Sequence, residues 1–353
     1  MLSLYLFRLS MHTLMQQFVF HLLSWVALCW VLPAQAGAVL QGVINNQVVR
    51  CGVSSGVVGF SAPNAEGVYQ GLDVDVCRAV AAAVLGNANA VQYKPLSSQQ
   101  RFVALQANQI DILSRNTTWT LTRDAGLGIL FAGITYYDGQ GILVPRRFKI
   151  HSAKQLMGAE ICVQSGTTNE KNLASFLAAQ SISAKMIVYD NFEAAYKAFF
   201  KGRCQAFSTD VSALIGLKTK QADNPEEYLV LPQVFSKEPL GPAVKADDLE
   251  WFNLVKWVIY ALIEAEELGV NSRNIRDKLL SSDPVVKRFL GQSEDLGKPL
   301  GLKHDWVVKV IGQVGNYGEI FDRHLGQHSP LQLPRGLNHL WIHGGLMYSP
   351  PFR

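Results

Sequence analysis

Ile110-Asp111-Ile112-Leu113-Ser114-Arg115-Asn116-Thr117-Thr118-Trp119-Thr120-Leu121-Thr122-Arg123 opens as a short apolar run and breaks abruptly into polar residues. The apolar part reads as a buried strand. Thr117, Thr118, Thr120 and Thr122 then supply hydroxyls and exposed backbone N–H groups that suit a small anion. Arg123 closes the segment with a planar fork that can grip a carboxylate through two parallel hydrogen bonds. Open α/β sheets place ligands at the carboxyl ends of such strands. The segment therefore predicts an α/β protein with a binding loop at a strand end.

The flanking chain repeats the alternation. Val48-Val49-Arg50-Cys51-Gly52-Val53 reads as a first strand, followed by the Gly-rich turn Ser54-Ser55-Gly56-Val57-Val58-Gly59-Phe60. That turn carries no phosphate-loop pattern. Gly71-Leu72-Asp73-Val74-Asp75-Val76-Cys77 starts a helix in which Asp73 can cap the N-terminus. Val74, Cys77, Ala81 and Val84 line one face, and Gly86 ends it. A second helix begins at Phe102-Val103-Ala104-Leu105. A second α/β pattern starts at Ile161-Cys162-Val163 and breaks at Gln164-Ser165-Gly166-Thr167-Thr168-Asn169-Glu170, a strand–helix junction with several N–H groups converging on one spot. Cys204-Gln205-Ala206-Phe207-Ser208-Thr209-Asp210 is another buried strand, and it ends on an acid. Repeated strand–helix units predict a largely parallel sheet.

Between the two α/β patterns, glycines 139 and 141 and Pro145 mark a crossing, and the segment from Phe235 to Val244 reads as the return. From Trp251 the pattern is helical, and the tail after Leu333 is aperiodic and suggests no mechanism. A chain of 353 residues is long enough for two domains. Its 48% hydrophobic and 17% charged content is that of a globular protein. The formal net charge is only +4, of which Arg8 contributes one, and no basic stripe with interleaved aromatics exists, which argues against nucleic-acid binding.

Residues 1–36 read as a secretory signal: Arg8, an apolar stretch from Phe18 to Leu32, and the small-x-small site Ala34-Gln35-Ala36. Leu28 before Cys29 argues against lipoprotein-type cleavage. Removal of the leader leaves Cys51, Cys77, Cys162 and Cys204, an even set in an exported chain, which predicts two disulfides. Spacing alone does not choose among the three pairings. It also matches no zinc pattern, and neither metal nor cofactor is expected.

Several of these segments together resemble the extracytoplasmic solute-binding proteins for polar amino acids. Gly71-Leu72-Asp73-Val74-Asp75-Val76, Phe131-Ala132-Gly133-Ile134-Thr135-Tyr136-Tyr137 and Gln164-Ser165-Gly166-Thr167-Thr168 are similar to that family's helix start, pre-hinge strand and second ligand loop. Arg50-Cys51-Gly52-Val53-Ser54, Leu113-Ser114-Arg115-Asn116-Thr117-Thr118-Trp119-Thr120, Gly315-Asn316-Tyr317-Gly318-Glu319-Ile320 and Gly344-Gly345-Leu346-Met347-Tyr348 resemble a longer branch. That branch holds the general L-amino-acid and glutamate/glutamine/aspartate/asparagine-binding proteins of ABC uptake systems.

The resemblance implies a type II periplasmic-binding-protein fold: two α/β lobes, each a mostly parallel sheet flanked by helices, joined by two crossing strands. The expected divisions are 37–143 for the first lobe, 144–236 for the second, and 237–353 for the return and a C-terminal helical extension. By the same resemblance Arg123 holds the ligand α-carboxylate, with support from the backbone N–H of Thr118 and from Thr168 beside Thr167. Asn116 stands where a carbonyl accepts from the α-ammonium, and Asp210 where a carboxylate receives it. Ser54 replaces a frequent aspartate and Val57 a frequent aromatic, so the side-chain pocket departs from the common pattern. The expected pairings are Cys51–Cys77 and Cys162–Cys204, one in each lobe. The implied function is periplasmic capture of L-amino acids by a monomer that delivers them to a membrane permease, without catalysis. The competing reading is a dehydratase-like enzyme on the same fold, which would need a general acid or base such as Glu170 in the cleft.

Overall fold

The computed structural model describes residues 37–353, so the leader and its cleavage site lie outside the described residues. In chain order, helix α1 (Ala38–Asn46) leads into β1 (Val49–Val53). A two-stranded ribbon of β2 (Ala62–Pro63) and β3 (Tyr69–Gln70) precedes α2 (Leu72–Leu85). Then come β4 (Val91–Pro95), α3 (Arg101–Gln106), β5 (Ile112–Leu113), α4 (Leu121–Gly126) and β6 (Ile129–Phe131). These strands form a sheet in the order β4-β1-β5, then a return strand, then β6, with β1 parallel to both β4 and β5.

The chain crosses on β7 (Tyr136–Asp138) and enters a second sheet through β8 (Gln140–Pro145). That sheet is completed by β9 (Glu160–Gln164), α5 (Thr168–Ala179), β10 (Lys185–Tyr189), α6 (Phe192–Phe200), β11 (Ala206–Asp210), α7 (Val211–Lys220) and β12 (Tyr228–Val230). Its strand order is β10-β9-β11-β8-β12. Strands β10, β9 and β11 run parallel, while β8 is antiparallel to β11 and β12. The return crossing is β13 (Glu238–Leu240), antiparallel to β7 with Asp138 opposite Glu238. It feeds β14 (Ala243–Lys245), which inserts antiparallel between β5 and β6 of the first sheet. Helices α8 (Leu249–Glu267), α9 (Ile275–Lys278), α10 (Pro284–Phe289), α11 (Trp306–Val314) and α12 (Tyr317–His324) follow, then a tail of short 3-10 turns.

Each half is closed by helices whose apolar stripe faces the sheet. Helix α2 buries Val74, Val76, Cys77, Val80 and Ala81 against β1, α8 and α11, and Gly86 ends it in the left-handed region at φ 71. The second sheet has its own core of Ile142, Val144, Leu156, Ile161, Val163 and Leu173. Both expected disulfides are formed. Cys51–Cys77 ties β1 to α2, and Cys162–Cys204 ties β9 to the approach of its neighbour β11.

One expectation needs correction. Asp73 is not the cap of α2: Gly71 is, without a side-chain cap, and Asp73 is buried in the first turn where its carboxylate serves the binding loop. The expected division after residue 143 falls within β8, whose residues are all buried and which pairs with β11 and β12; the chain turns into β8 just after the β7–β13 pair. Gly139 stands at this bend because a Cβ there would sit 2.2 Å from Val234 Cγ1 and 3.0 Å from the Ser236 carbonyl oxygen.

Candidate functional site

The loop after β5 is built by its own polar side chains. Arg115 is buried and donates Nε to the Leu96 carbonyl oxygen at 2.8 Å. Asn116 takes φ +31, a conformation asparagine tolerates better than most residues, and its N–H donates to Asp73 Oδ2 at 2.6 Å. Thr117 folds its hydroxyl back onto the Arg115 carbonyl oxygen, 2.9 Å away. Trp119 N–H donates to the Pro239 carbonyl oxygen and Gly241 N–H to that of Thr117, which fastens the loop to β13. Thr120 then caps α4, and Arg123 Nη1 donates to the Thr118 carbonyl oxygen at 2.8 Å.

The facing wall comes from the second sheet. Thr167 caps α5, accepting from Glu170 N–H and donating to the Gln164 carbonyl oxygen. Thr168 Oγ1 lies 3.2 Å from Thr118 Oγ1, so the walls touch at this point. They touch again where Gln99 Nε2 donates to Ser165 Oγ at 2.8 Å. Asp210, at the end of β11, accepts from Asn169 Nδ2 at 2.8 Å.

Between the walls, where they touch, lies a narrow cavity. Among its lining residues are Asn116, Thr118, Thr167, Thr168, Asp210 and Val57. The structure thus brings together five of the seven expected binding residues. Ser54 does not line the cavity: its hydroxyl donates to the Ser61 carbonyl oxygen and accepts from Val57 N–H, closing its own turn. Arg123 stands behind Thr118, its guanidinium 5.3 Å from the centre of the Phe102 ring. Glu170 caps inward, accepting from Gly166 N–H at 3.0 Å, and does not line the cavity either.

Three groups at the site were not anticipated from the sequence. Arg101 lines the cavity although only 3% exposed; Nη1 makes one long bond, 3.3 Å, to Thr117 Oγ1, and Nε is buried without a protein partner. A signal for it existed. Residues 101, 104 and 105 share the buried face of α3, so an arginine sits on an otherwise apolar stripe. Glu238 is 1% exposed and ties both walls to the crossing. Its Oε2 accepts from Thr118 Oγ1 at 2.6 Å and Thr168 Oγ1 at 2.9 Å, and its Oε1 from Asn172 Nδ2 and Ser236 Oγ. Asp138, opposite Glu238, accepts from Ser212 Oγ and Gly139 N–H.

Burial dominates the electrostatics. It pushes the Asp210 carboxyl well above the usual range, and the nearby Asp138 and Glu238 push the same way against Asn169 and Arg101. Asp138 is likewise pushed up to about 6, mainly by burial. Burial drives Arg101 well below the ordinary arginine value, and the neighbouring Arg115 and Arg123 add to it while Asp210 opposes. The cavity therefore holds an acid and guanidinium groups whose charged forms are penalised by burial until an opposite charge joins them. Such a site favours a small zwitterion that supplies an ammonium to the acid and carboxylate oxygen to a guanidinium.

Comparison with known proteins agrees. The general L-amino acid-binding periplasmic protein AapJ of Rhizobium johnstonii is 48% identical over 322 residues, covering 91% of this chain and 94% of that one. The glutamate/glutamine/aspartate/asparagine-binding protein BztA of Rhodobacter capsulatus is 43% identical over 325 residues, covering 92% and 96%. A solved ABC transporter periplasmic binding protein from Brucella ovis, with glutathione bound, superposes with a TM-score of 0.87 at 45% identity, covering 89% of this chain and 99% of that one. Residues 49–274 match the model of the bacterial extracellular solute-binding proteins, family 3, and the chain belongs to that family.

Proposed function

We propose that this protein captures L-amino acids outside the cytoplasmic membrane by closing two lobes on them, and delivers them to the permease of an ABC transporter. The carrying observation is that one cavity brings a buried acid on the second wall, Asp210, opposite the buried Arg101 and Arg115 on the first, with Arg101 keeping Nε without a protein partner and Arg123 standing behind them. In this reading Asp210 receives the α-ammonium, helped by the Asn116 carbonyl. Arg123 takes the α-carboxylate with the N–H groups of Thr118 and Thr168, the latter at the positive end of the twelve-residue helix α5. Thr167 supports that helix end as its cap, and Ser54 supports the turn that carries Val57.

Arg101 then faces the ligand side chain. Its unpartnered Nε favours an oxygen there, a carboxylate or a carboxamide, and disfavours a wholly apolar end. The relatives named above for general L-amino acids and for glutamate, glutamine, aspartate and asparagine fit this preference. We take the strands up to β7 and the chain from β14 onward as the first lobe, and β8 to β12 as the second. The leader 1–36 would leave after Ala36, and a mature mass starting at Gly37 checks that step. The cavity supports binding rather than turnover, because Asp210, the acid that lines it, is held by the Asn169 amide, and the nearby Glu238 and Asp138 by hydroxyl donors.

A thermal-shift screen of the mature protein against the twenty L-amino acids tests the function. At about a hundred times Kd a ligand adds roughly 2.7 kcal/mol to the folded state, and glutamate, glutamine, aspartate and asparagine are expected to raise Tm most. A flat response to all twenty would contradict the reading.

A further inference from the structure

We propose that Asn338, in the C-terminal tail, is a positioning residue for lobe closure: its side-chain amide grips the crossing strand β7 and sets how freely the lobes move. Tyr137 N–H donates to Asn338 Oδ1 at 2.7 Å, and Asn338 Nδ2 donates to the Tyr137 carbonyl oxygen at 3.1 Å. An amide that accepts from one residue's N–H and donates to its carbonyl reproduces the bonding of a neighbouring strand. Tyr137 lies opposite Pro239, which has no N–H to offer β7. At this non-hydrogen-bonded position of the ladder both the N–H and the C=O of Tyr137 point away from β13, and the tail supplies their partner.

The grip extends over three successive residues. Tyr317 Oη donates to the Thr135 carbonyl oxygen at 2.9 Å, and Tyr136 stacks on Phe321 with ring centres 6.2 Å apart. Asn338 holds the third. One cation unites these contacts: Arg335 covers the rings of Tyr317 and Phe321, pairs with Glu266, and donates to the Asn338 carbonyl oxygen at 2.8 and 3.0 Å. Asn338 itself is only 3% exposed. All four gripping residues lie beyond residue 274, where the family match ends. The extension thus adds a clamp to a hinge that the rest of the chain already builds.

The consequence for closure follows from what β7 carries. Asp138, the next residue, pairs with Glu238, and Glu238 holds Thr118 and Thr168 on opposite walls. Gly139, where β7 passes to β8, comes two residues after the clamped Tyr137. A strand fixed on one side of the bend confines motion to the other side, so the open state has less freedom to lose when the lobes close. With the clamp removed, the open ensemble widens.

The inference rests on the two-lobed closure proposed above, and a ligand-free measurement separates its failure from that of the amino-acid reading. The four cysteines of the described chain are in disulfides, so Val103→Cys on α3 and Val188→Cys on β10, both at exposed positions, can carry spin labels. Pulsed dipolar spectroscopy then reads the inter-lobe distance distribution of the protein without ligand. Asn338→Ala should broaden that distribution roughly twofold relative to the parent. A merely structural role would lower Tm and leave the width unchanged, and that outcome overturns the proposal. Should Asn338→Ala fail to fold, Asn338→Asp is read in the same way, since it keeps the acceptor for Tyr137 N–H and loses the donor.

Discussion

Arg101 and Arg123 both lie over one aromatic ring, Phe102, at 4.8 and 5.3 Å from its centre, yet the two guanidinium groups have different surroundings. Arg123 is anchored by the Thr118 carbonyl, whereas Arg101 keeps Nε without a protein partner against the cavity. Removing them should therefore have different effects. Arg101→Ala is expected to weaken glutamate or glutamine by about 1.5–3 kcal/mol, the range of a hydrogen bond to a charged group, and to leave a small neutral ligand such as alanine nearly unchanged. Competition titrations with the two ligand types read the difference, and equal losses for both would contradict a side-chain role. Asp210, Asn116, Thr118 and Thr168, which line the cavity, could be singled out from the family resemblance of strand ends where an apolar run breaks into polar residues. Arg101 and Glu238 were not, since one lies inside a helix start and the other inside a segment that reads only as a linker between glycine and prolines.

At the scale of elements, the strand-to-helix loops do the binding, and the helices behind them hold the loops in shape. Asp73 is the clearest case. It lies in the first turn of α2 and accepts from the Asn116 N–H and the Ser114 hydroxyl of the binding loop. Burial pushes its carboxyl up to about 6, against the pull of those two donors and Arg115. A folded-state value above the unfolded one means the folded chain holds this proton more tightly. The resulting stability is fully present below about pH 4 and is lost as pH rises through about 6, a change of about 2–3 kcal/mol. Urea unfolding at pH 4 and pH 7.5 should show Asp73→Asn losing that much less between the two pH values than the parent. Parallel losses would contradict the assignment. The helix itself was legible from its apolar stripe and its closing glycine. The role of Asp73 was not, because a polar residue at a helix start reads first as a cap, and only the tertiary position of residues 114–116 shows otherwise.

For the whole molecule, two sheets joined by the β7–β13 pair place the acid of one lobe against the arginines of the other. The repeating strand–helix pattern made the α/β class and the two halves readable. The position of the crossing was harder to read, since β8 after Gln140 carries only glycine and apolar residues and is buried throughout. The tail after Leu333 gave no periodic signal because it forms short 3-10 turns whose contacts are with distant parts of the chain, Asn338 with Tyr137 above all. Closure on a ligand held at both ends is the claim on which the account depends. Calorimetry of the parent, Arg123→Ala and Asp210→Ala, each titrated with the amino acid of largest thermal shift, tests it most directly. Each substitution is predicted to cost on the order of 2–5 kcal/mol in binding while Tm without ligand stays near that of the parent. Binding by Arg123→Ala within a factor of about two of the parent, less than ~0.5 kcal/mol, would contradict it.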